Sequence, residues 1–137
     1  MFYPVRFETL PGSVRVLVRD FDLVLEYPTM QDARQQASAE VIRQIETKFR
    51  KKHLPIPRPS KVENGEEVFY IPIKIQARIM LWNTMMKRGM RAIDLAKLLE
   101  TSPAQAQRYI NGSNDVSIES YERALLKLDI YLNLKSH

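Results

Sequence analysis

The 137-residue chain contains no cysteine, only two histidines and no long apolar run. The absence of cysteine excludes disulfides, thiolate zinc sites, cysteine-held iron–sulfur clusters and cysteine nucleophiles. The longest apolar runs, Val68–Ile71 and Ile79–Trp82, have four residues each, whereas a membrane-spanning helix needs about 20. The first residues do not combine a basic stretch with an apolar core, so no signal peptide is expected. We therefore expect a cytoplasmic protein that does not associate with a membrane.

Positive charge exceeds negative charge, but the excess is unevenly distributed. Lys and Arg number 21 against 16 Asp and Glu, which gives a net charge of +5. Residues 1–47 carry 5 basic and 7 acidic side chains, residues 48–61 carry 6 basic and no acidic ones, and residues 73–137 carry 10 basic and 6 acidic ones. Because basic surfaces attract polyanions, the second part of the chain is better suited to such a partner than the first.

The first part of the chain has the alternation typical of a sheet. Apolar residues occupy every second position in Tyr3–Phe7 and in Val14–Val18, and a Pro-Gly-Ser turn between the two segments indicates a β-hairpin. Pro4 suits an edge strand because proline has no amide to donate to a neighbouring strand. Further strands are predicted at Leu23–Leu25 and Val68–Ile71.

One long helix is predicted between these strands. Apolar residues recur every four positions over Ala33–Phe49, which places them on one helix face that can cover a sheet. The segment Thr29–Asp32 resembles a capping box, so the helix is expected to begin there. Residues 1–72 are therefore predicted to form a two-layer α/β domain.

A proline-containing connector, His53–Ser60, falls inside this first domain. Its alternating prolines remove amide donors and favour extended backbone, so we expect a stiff segment along the surface. The six cations of residues 48–61 are explained more simply as a solvated face than as a ligand site.

Few residues of the chain suit catalysis. Asp20, Asp22 and Glu26 are close in sequence, and carboxylates can hold Mg²⁺ or exchange protons, but a metal site needs several converging oxygens. The histidines, His53 and His137, stand in the connector and at the last residue. We therefore expect no enzyme, no catalytic residue, no metal and no cofactor. A magnesium-dependent nuclease that uses the three acids is the enzymatic alternative.

The second part of the chain, residues 73–137, is predicted to consist of helices separated by short polar turns. Helices are expected over Ile75–Met86, Ile93–Leu99 and Pro103–Asn111, with Ser102 as the N-cap of the third. A helix of about eight residues, a turn of about three and another short helix have the spacing of a helix-turn-helix.

The third of these helices has an apolar face and a polar face. At about 100° per residue, Ala106, Tyr109 and Ile110 share the inner face. The outer face combines a small residue with side chains that pair with adenine and guanine, which suits the major groove, although many helices simply have a polar solvent face. Nearby cations favour the DNA interpretation because they can contact phosphates. The candidate DNA-binding residues are Ala104, Gln105, Gln107, Arg108, Asn111, Arg91, Lys87, Arg88, Ser113 and Asn114.

An apolar tail follows a fourth predicted helix, Ile118–Leu128. Ile130–Leu134 has the pattern of a short terminal strand, which either pairs with its copy in another subunit or folds back onto its own domain. Pairing would suit two-fold symmetric DNA sites. We therefore expect a homodimer through the C-terminal domain, with a dimer of dimers as a larger alternative.

These motifs resemble two known families. The segment Ile93–Leu99, followed by Ser102–Gly112, resembles the helix-turn-helix of lambda-repressor-like (XRE/Cro) proteins. The order of Tyr3-Pro4-Val5, hairpin, long helix, Leu54–Ser60, Ile71-Pro72-Ile73 and helix-turn-helix resembles HicB-type antitoxins of bacterial type II toxin–antitoxin systems across nearly the whole chain.

The resemblance to HicB-type antitoxins implies two roles and an α+β fold. It implies a partial RNase H-like N-terminal domain that binds a HicA-type mRNA-cleaving toxin and covers its catalytic site. It also implies a C-terminal domain that dimerises and represses its own operon by binding operator DNA. The slightly acidic residues 1–47 suit a basic RNA-cutting partner. The alternative is a stand-alone helix-turn-helix transcriptional regulator without a toxin partner.

Overall fold

The computed structural model describes residues 1–112 and 115–133. The strands are β1 (Phe2–Leu10), β2 (Ser13–Val18), β3 (Leu23–Tyr27) and β4 (Glu67–Tyr70). The α-helices are α1 (Met30–Lys51), α2 (Ile73–Arg88), α3 (Ala92–Leu99), α4 (Pro103–Asn111) and α5 (Ile118–Lys127). The predicted α+β fold class is confirmed. In these ranges no helix has both the length and the apolar character needed to cross a bilayer.

The chain divides into two compact units. The sheet unit contains Met1–Lys48 and Pro57–Ile71, and the helical unit contains Phe49–Ile56 and the chain from Pro72 onward. These units differ from the predicted domains chiefly in the placement of Phe49–Ile56. The sheet unit carries 8 basic and 10 acidic residues, whereas the helical unit carries 13 basic and 6 acidic residues. The net positive charge of the chain therefore belongs to the helical unit.

The sheet unit contains an antiparallel sheet in the order β3-β2-β1-β4. The hairpin of β1 and β2 is confirmed, with Phe7 opposite Val16 and Val16 opposite Leu25 on one face of the sheet. The apolar stripe of α1 is buried from Ala33 to Phe49, as its four-residue spacing predicts. The Cζ atom of Arg34 in α1 lies 4.6 Å from the centroid of the Phe7 ring, so α1 covers this face.

The expectation of an edge strand for Pro4 is wrong, because β1 lies between β2 and β4. The ladder with β2 starts at Arg6, which is opposite Leu17, whereas Pro4 is opposite Val68 of β4. Pro4 therefore precedes the β1–β2 ladder, and its missing amide interrupts no bond of that ladder.

Both halves of the predicted connector are bound by hydrogen bonds. Trp82 Nε1 of α2 donates to the Leu54 carbonyl at 2.8 Å. The Asn83 side chain accepts from Ile56 N at 2.7 Å and donates to the Ile56 carbonyl at 2.9 Å. In the sheet unit, the Tyr3 hydroxyl donates to the Pro57 carbonyl at 2.5 Å. The extended connector thus belongs in part to each unit.

The helical unit has its own apolar core, made by α2 to α5. Leu81, Leu95 and Leu125 are buried there, and Ile130 and Leu132 pack against the same core. The predicted short terminal strand is not formed by residues 128–133 of this single chain. The Ile130 amide instead donates to the Leu125 carbonyl at 2.9 Å, which turns the tail back onto its own helix. Leu134 lies outside the described residues.

Candidate nucleic-acid interface

The helices α3 and α4 are joined by a turn of three residues, Glu100–Ser102. Glu100 has a left-handed backbone, with φ of 54°, and ends α3. Ser102 begins α4 because its hydroxyl accepts from the Gln105 amide at 3.1 Å, and Pro103 occupies the first helical turn. The predicted cap, turn length and helix ends are therefore confirmed.

The inner face of α4 packs against the core as predicted. Ala106 is fully buried, and the half-buried Tyr109 and Ile110 contact the same apolar cluster. The Tyr121 hydroxyl of α5 donates to the Tyr109 carbonyl at 2.9 Å, and the two rings meet edge to face with centroids 5.5 Å apart. These contacts fix the rotation of α4 about its own axis, and hence which residues face outward.

The outer face of α4 consists of the residues that the spacing of 100° per residue predicted. Ala104, Gln107, Arg108 and Asn111 are exposed, and Gln105 is half-buried. Gln107 Nε2 donates to Asn111 Oδ1 at 3.0 Å, and Arg108 Nη1 donates to Gln105 Oε1 at 3.3 Å. The outer face is therefore a connected polar surface and not a set of independent side chains.

Arg108 also has an acidic partner that sequence reasoning did not identify. Its Nη1 is 2.8 Å from Oδ2 of Asp115, which follows the end of α4. A guanidinium carries five N–H donors, so Arg108 keeps donors for a further acceptor. The only signal in the sequence was an acid a few residues beyond the predicted end of the helix. The predicted neighbours Ser113 and Asn114 lie outside the described residues.

Three of the predicted DNA-binding residues are cations that lie where α2 ends and α3 begins. They are Lys87, Arg88 and Arg91, and all three are exposed. Arg88 donates to the Leu128 carbonyl at 2.9 Å, so it also holds the end of α5. The Arg91 amide donates to Asp94 Oδ2 at 2.7 Å, and this bond, together with the nearby Arg91 charge, lowers the pKa of Asp94. Lys87 forms no ion pair with a described residue. Of the three, Lys87 is therefore the cation least engaged within the protein.

Arg50, in the last turn of α1, contacts the C-terminal end of α4. Its Nη1 donates to the Ile110 carbonyl at 2.9 Å and lies 3.4 Å from Asn111 Oδ1. Both partners belong to the helical unit, as does Arg50 itself. Sequence reasoning missed this contact, since it treated the cations around the connector as one solvated face. The end of α1 therefore lies beside the candidate interface.

Two of the three acids considered for a metal site, Asp20 and Glu26, have side-chain partners on the protein. Asp20 accepts from the Ser60 amide at 2.9 Å and also from the Ser60 hydroxyl. Glu26 Oε1 lies 3.7 Å from Arg15 Nη2. Asp22 ends a short 3-10 turn, Arg19–Phe21, in a left-handed conformation. Over residues 1–112 and 115–133, no three His, Asp or Glu side chains are grouped to hold a metal ion.

Comparison with known proteins places the chain in a family. No family model matches it. The chain is 32% identical to the protein named Antitoxin HicB 2 of Photorhabdus laumondii, over 98% of this chain and 95% of that relative. It is 30% identical to Antitoxin HicB of Pseudomonas fluorescens, over 48% of this chain and 45% of that relative. Because the first match extends over both units, the resemblance seen in the order of motifs is confirmed, and the chain belongs to the HicB antitoxin family.

Proposed function

We propose that this chain neutralises a HicA-type mRNA-cleaving toxin through its sheet unit and represses its own operon by binding operator DNA through its helical unit. The observation that carries the DNA-binding role is the orientation of α4, in which Ala106 is buried while Gln107 and Arg108 are exposed. The helical unit also carries a net charge of +7, from 13 basic and 6 acidic residues, which favours a polyanionic partner.

The polar surface of α4 matches the chemistry of base edges. The bond from Gln107 Nε2 to Asn111 Oδ1 leaves the Gln107 carbonyl oxygen and the Asn111 amide group for DNA. Adenine presents one donor and one acceptor in the major groove, so this pair complements it. Arg108 has the planar fork that guanine accepts, and the small Ala104 permits close approach of the helix. Lys87, outside α4, is available for a phosphate.

The sheet unit has the properties expected of a protein-binding partner. Its face opposite α1 exposes Val24, Val68 and Tyr70, whose exposed fractions are 59%, 42% and 55%. Tyr70 is opposite Phe2 in the sheet, and the centroids of their rings are 5.5 Å apart. Val24 lies on β3 at one edge of the sheet, whereas Val68 and Tyr70 lie together on β4 at the other edge. Contiguous exposed apolar groups such as the β4 pair mark interaction sites. The net charge of −2 on the sheet unit, from 8 basic and 10 acidic residues, complements a basic ribonuclease.

We also propose a homodimer through the helical unit. Its surface exposes Leu126 and Tyr131 near the C-terminal end, and an apolar patch there would be covered by a second copy. Two copies would present two α4 helices to a two-fold symmetric operator. The molar mass of the full chain in solution separates a monomer, this dimer and a dimer of dimers.

One experiment tests the toxin half and another the DNA half. If an adjacent small open reading frame encodes the toxin, co-expression of this chain with its product should restore the growth of cells that the product alone inhibits. The two proteins should also co-purify as a complex. In operator binding, Arg108→Ala should cost about 1–3 kcal/mol and relax the sequence preference. The matched control is Arg123→Ala, which removes an exposed arginine of α5 and should leave binding unchanged. An equal loss of affinity for random DNA would make Arg108 a phosphate contact. Operator binding without a toxin complex would instead support the alternative of a stand-alone regulator.

A further inference from the structure

The six cations of residues 48–61 are divided equally between the two units. Arg50, Lys51 and Lys52 lie in Phe49–Ile56, which belongs to the helical unit and contains no acidic residue. Lys48, Arg58 and Lys61, from the same segment, belong to the sheet unit. The unit that contains α4 therefore gains three positive charges from a part of the chain that lies far from α4 in sequence.

The end of α1 is held at defined points on the helical unit. The Arg50 guanidinium donates to the Ile110 carbonyl at 2.9 Å, where a cation also complements the negative end of the α4 dipole. The following residues are anchored on α2 through the bond between Trp82 Nε1 and the Leu54 carbonyl, at 2.8 Å. Lys51 and Lys52 lie between these two anchors and therefore have a fixed location beside the C-terminal end of α4.

These two lysines differ from the exposed arginines earlier in α1, Arg34 and Arg43. Arg34 pairs with Glu67 at 2.9 Å, and Arg43 pairs with Glu40, so both are neutralised on the protein. Lys51 and Lys52 are exposed, and neither forms an ion pair with a described residue. The positive charge at the end of α1 is therefore available to an anion from outside.

We propose that Lys51 and Lys52 form a phosphate-binding site that contacts the DNA backbone beside the bases read by α4. This inference rests on the proposed operator binding and extends the interface beyond the helix-turn-helix. Lysine binds phosphate as a compact point charge, so the contact is expected to strengthen binding without selecting a sequence. Each phosphate neutralised on duplex DNA adds about 0.9 to the magnitude of the salt-dependence slope.

The test compares salt dependence for charge-matched double variants of the full chain. Affinity for the operator and for a random duplex of equal length is measured over a series of KCl concentrations. The variant Lys51→Ala/Lys52→Ala should reduce the magnitude of the negative slope of log K against log salt by about 1.8 on both duplexes. The ratio of operator to random affinity should stay constant. The control Arg58→Ala/Lys61→Ala removes the same charge from the sheet unit and should leave the slope unchanged.

The outcomes separate this inference from the function on which it rests. If the unaltered chain shows no preference for the operator, the proposed DNA-binding function fails. If it shows the preference but the lysine variant keeps the full slope, the phosphate site is refuted. Equal slopes for the lysine variant and its control would assign the effect to net charge and would also refute the site. Far-UV circular dichroism checks that each variant remains folded.

Discussion

Asp115 restrains the arginine that we propose reads a base. Its Oδ2 lies 2.8 Å from Arg108 Nη1, and the two side chains are 51% and 54% exposed. An ion pair with this exposure contributes roughly 0.2–1 kcal/mol. In the proposed complex, Arg108 would give up much of this pair because its guanidinium would turn toward a guanine. Asp115→Asn should therefore strengthen operator binding by at most about 1 kcal/mol, which is about fivefold in affinity.

A double-mutant cycle shows whether Asp115 acts through Arg108. Fluorescence anisotropy with a labelled operator duplex gives the affinities of the unaltered chain, Asp115→Asn, Arg108→Ala and the double variant. The gain from Asp115→Asn should largely disappear in the Arg108→Ala background, because the arginine that it restrains is absent. An equal gain in both backgrounds would refute the reasoning, since the carboxylate would then act directly on the phosphates. Weaker binding by Asp115→Asn alone would refute it as well.

Two further predictions concern stability. Arg19 donates to Glu66 at 2.8 and 3.0 Å, which lowers the pKa of Glu66 from 4.5 to about 2. The stabilisation by this pair is complete above pH 4.5 and lost toward pH 2, so Glu66→Gln should flatten the pH dependence of the urea midpoint over that interval. Leu95 of α3 is fully buried, so Leu95→Ala should cost about 2–5 kcal/mol in urea unfolding. The control Ile93→Ala, on the exposed side of α3, should cost a fraction of that, and equal losses would contradict the burial argument.

Features that depend on residues close in sequence were predictable. The alternation of Val14–Val18 and the four-residue spacing of Ala33–Phe49 each reflect the geometry of one element, and the structure buries both apolar sets. The cap at Ser102 and the left-handed Gly112 at the end of α4 are equally local. The faces of α4 followed from the same angular spacing. Its contacts with DNA stay a prediction.

Features that depend on distant partners were not predictable from one sequence. Asp20 bonds to Ser60, 40 positions away, and thereby changes from a candidate metal ligand into an anchor for the connector. Arg50 reaches Ile110 across 60 positions. Periodicity and capping signals carry no information about such pairs. The edge position expected for Pro4 failed for the same reason, since the place of β1 in the sheet depends on β4.

The helical unit is assembled from two separated stretches of chain, so it cannot be exchanged between related proteins as one continuous segment. A segment starting at residue 73 would encode α2 to α5 but would lack Leu54 and Ile56. Trp82 and Asn83 would then lose the carbonyl groups that pair with them. A chimera joined at that single point would combine a mismatched connector with a foreign α2. Transfer of the helical unit, which we propose binds DNA, therefore requires residues 49–56 to be exchanged as well, through one crossover on each side of them and a third ahead of α2.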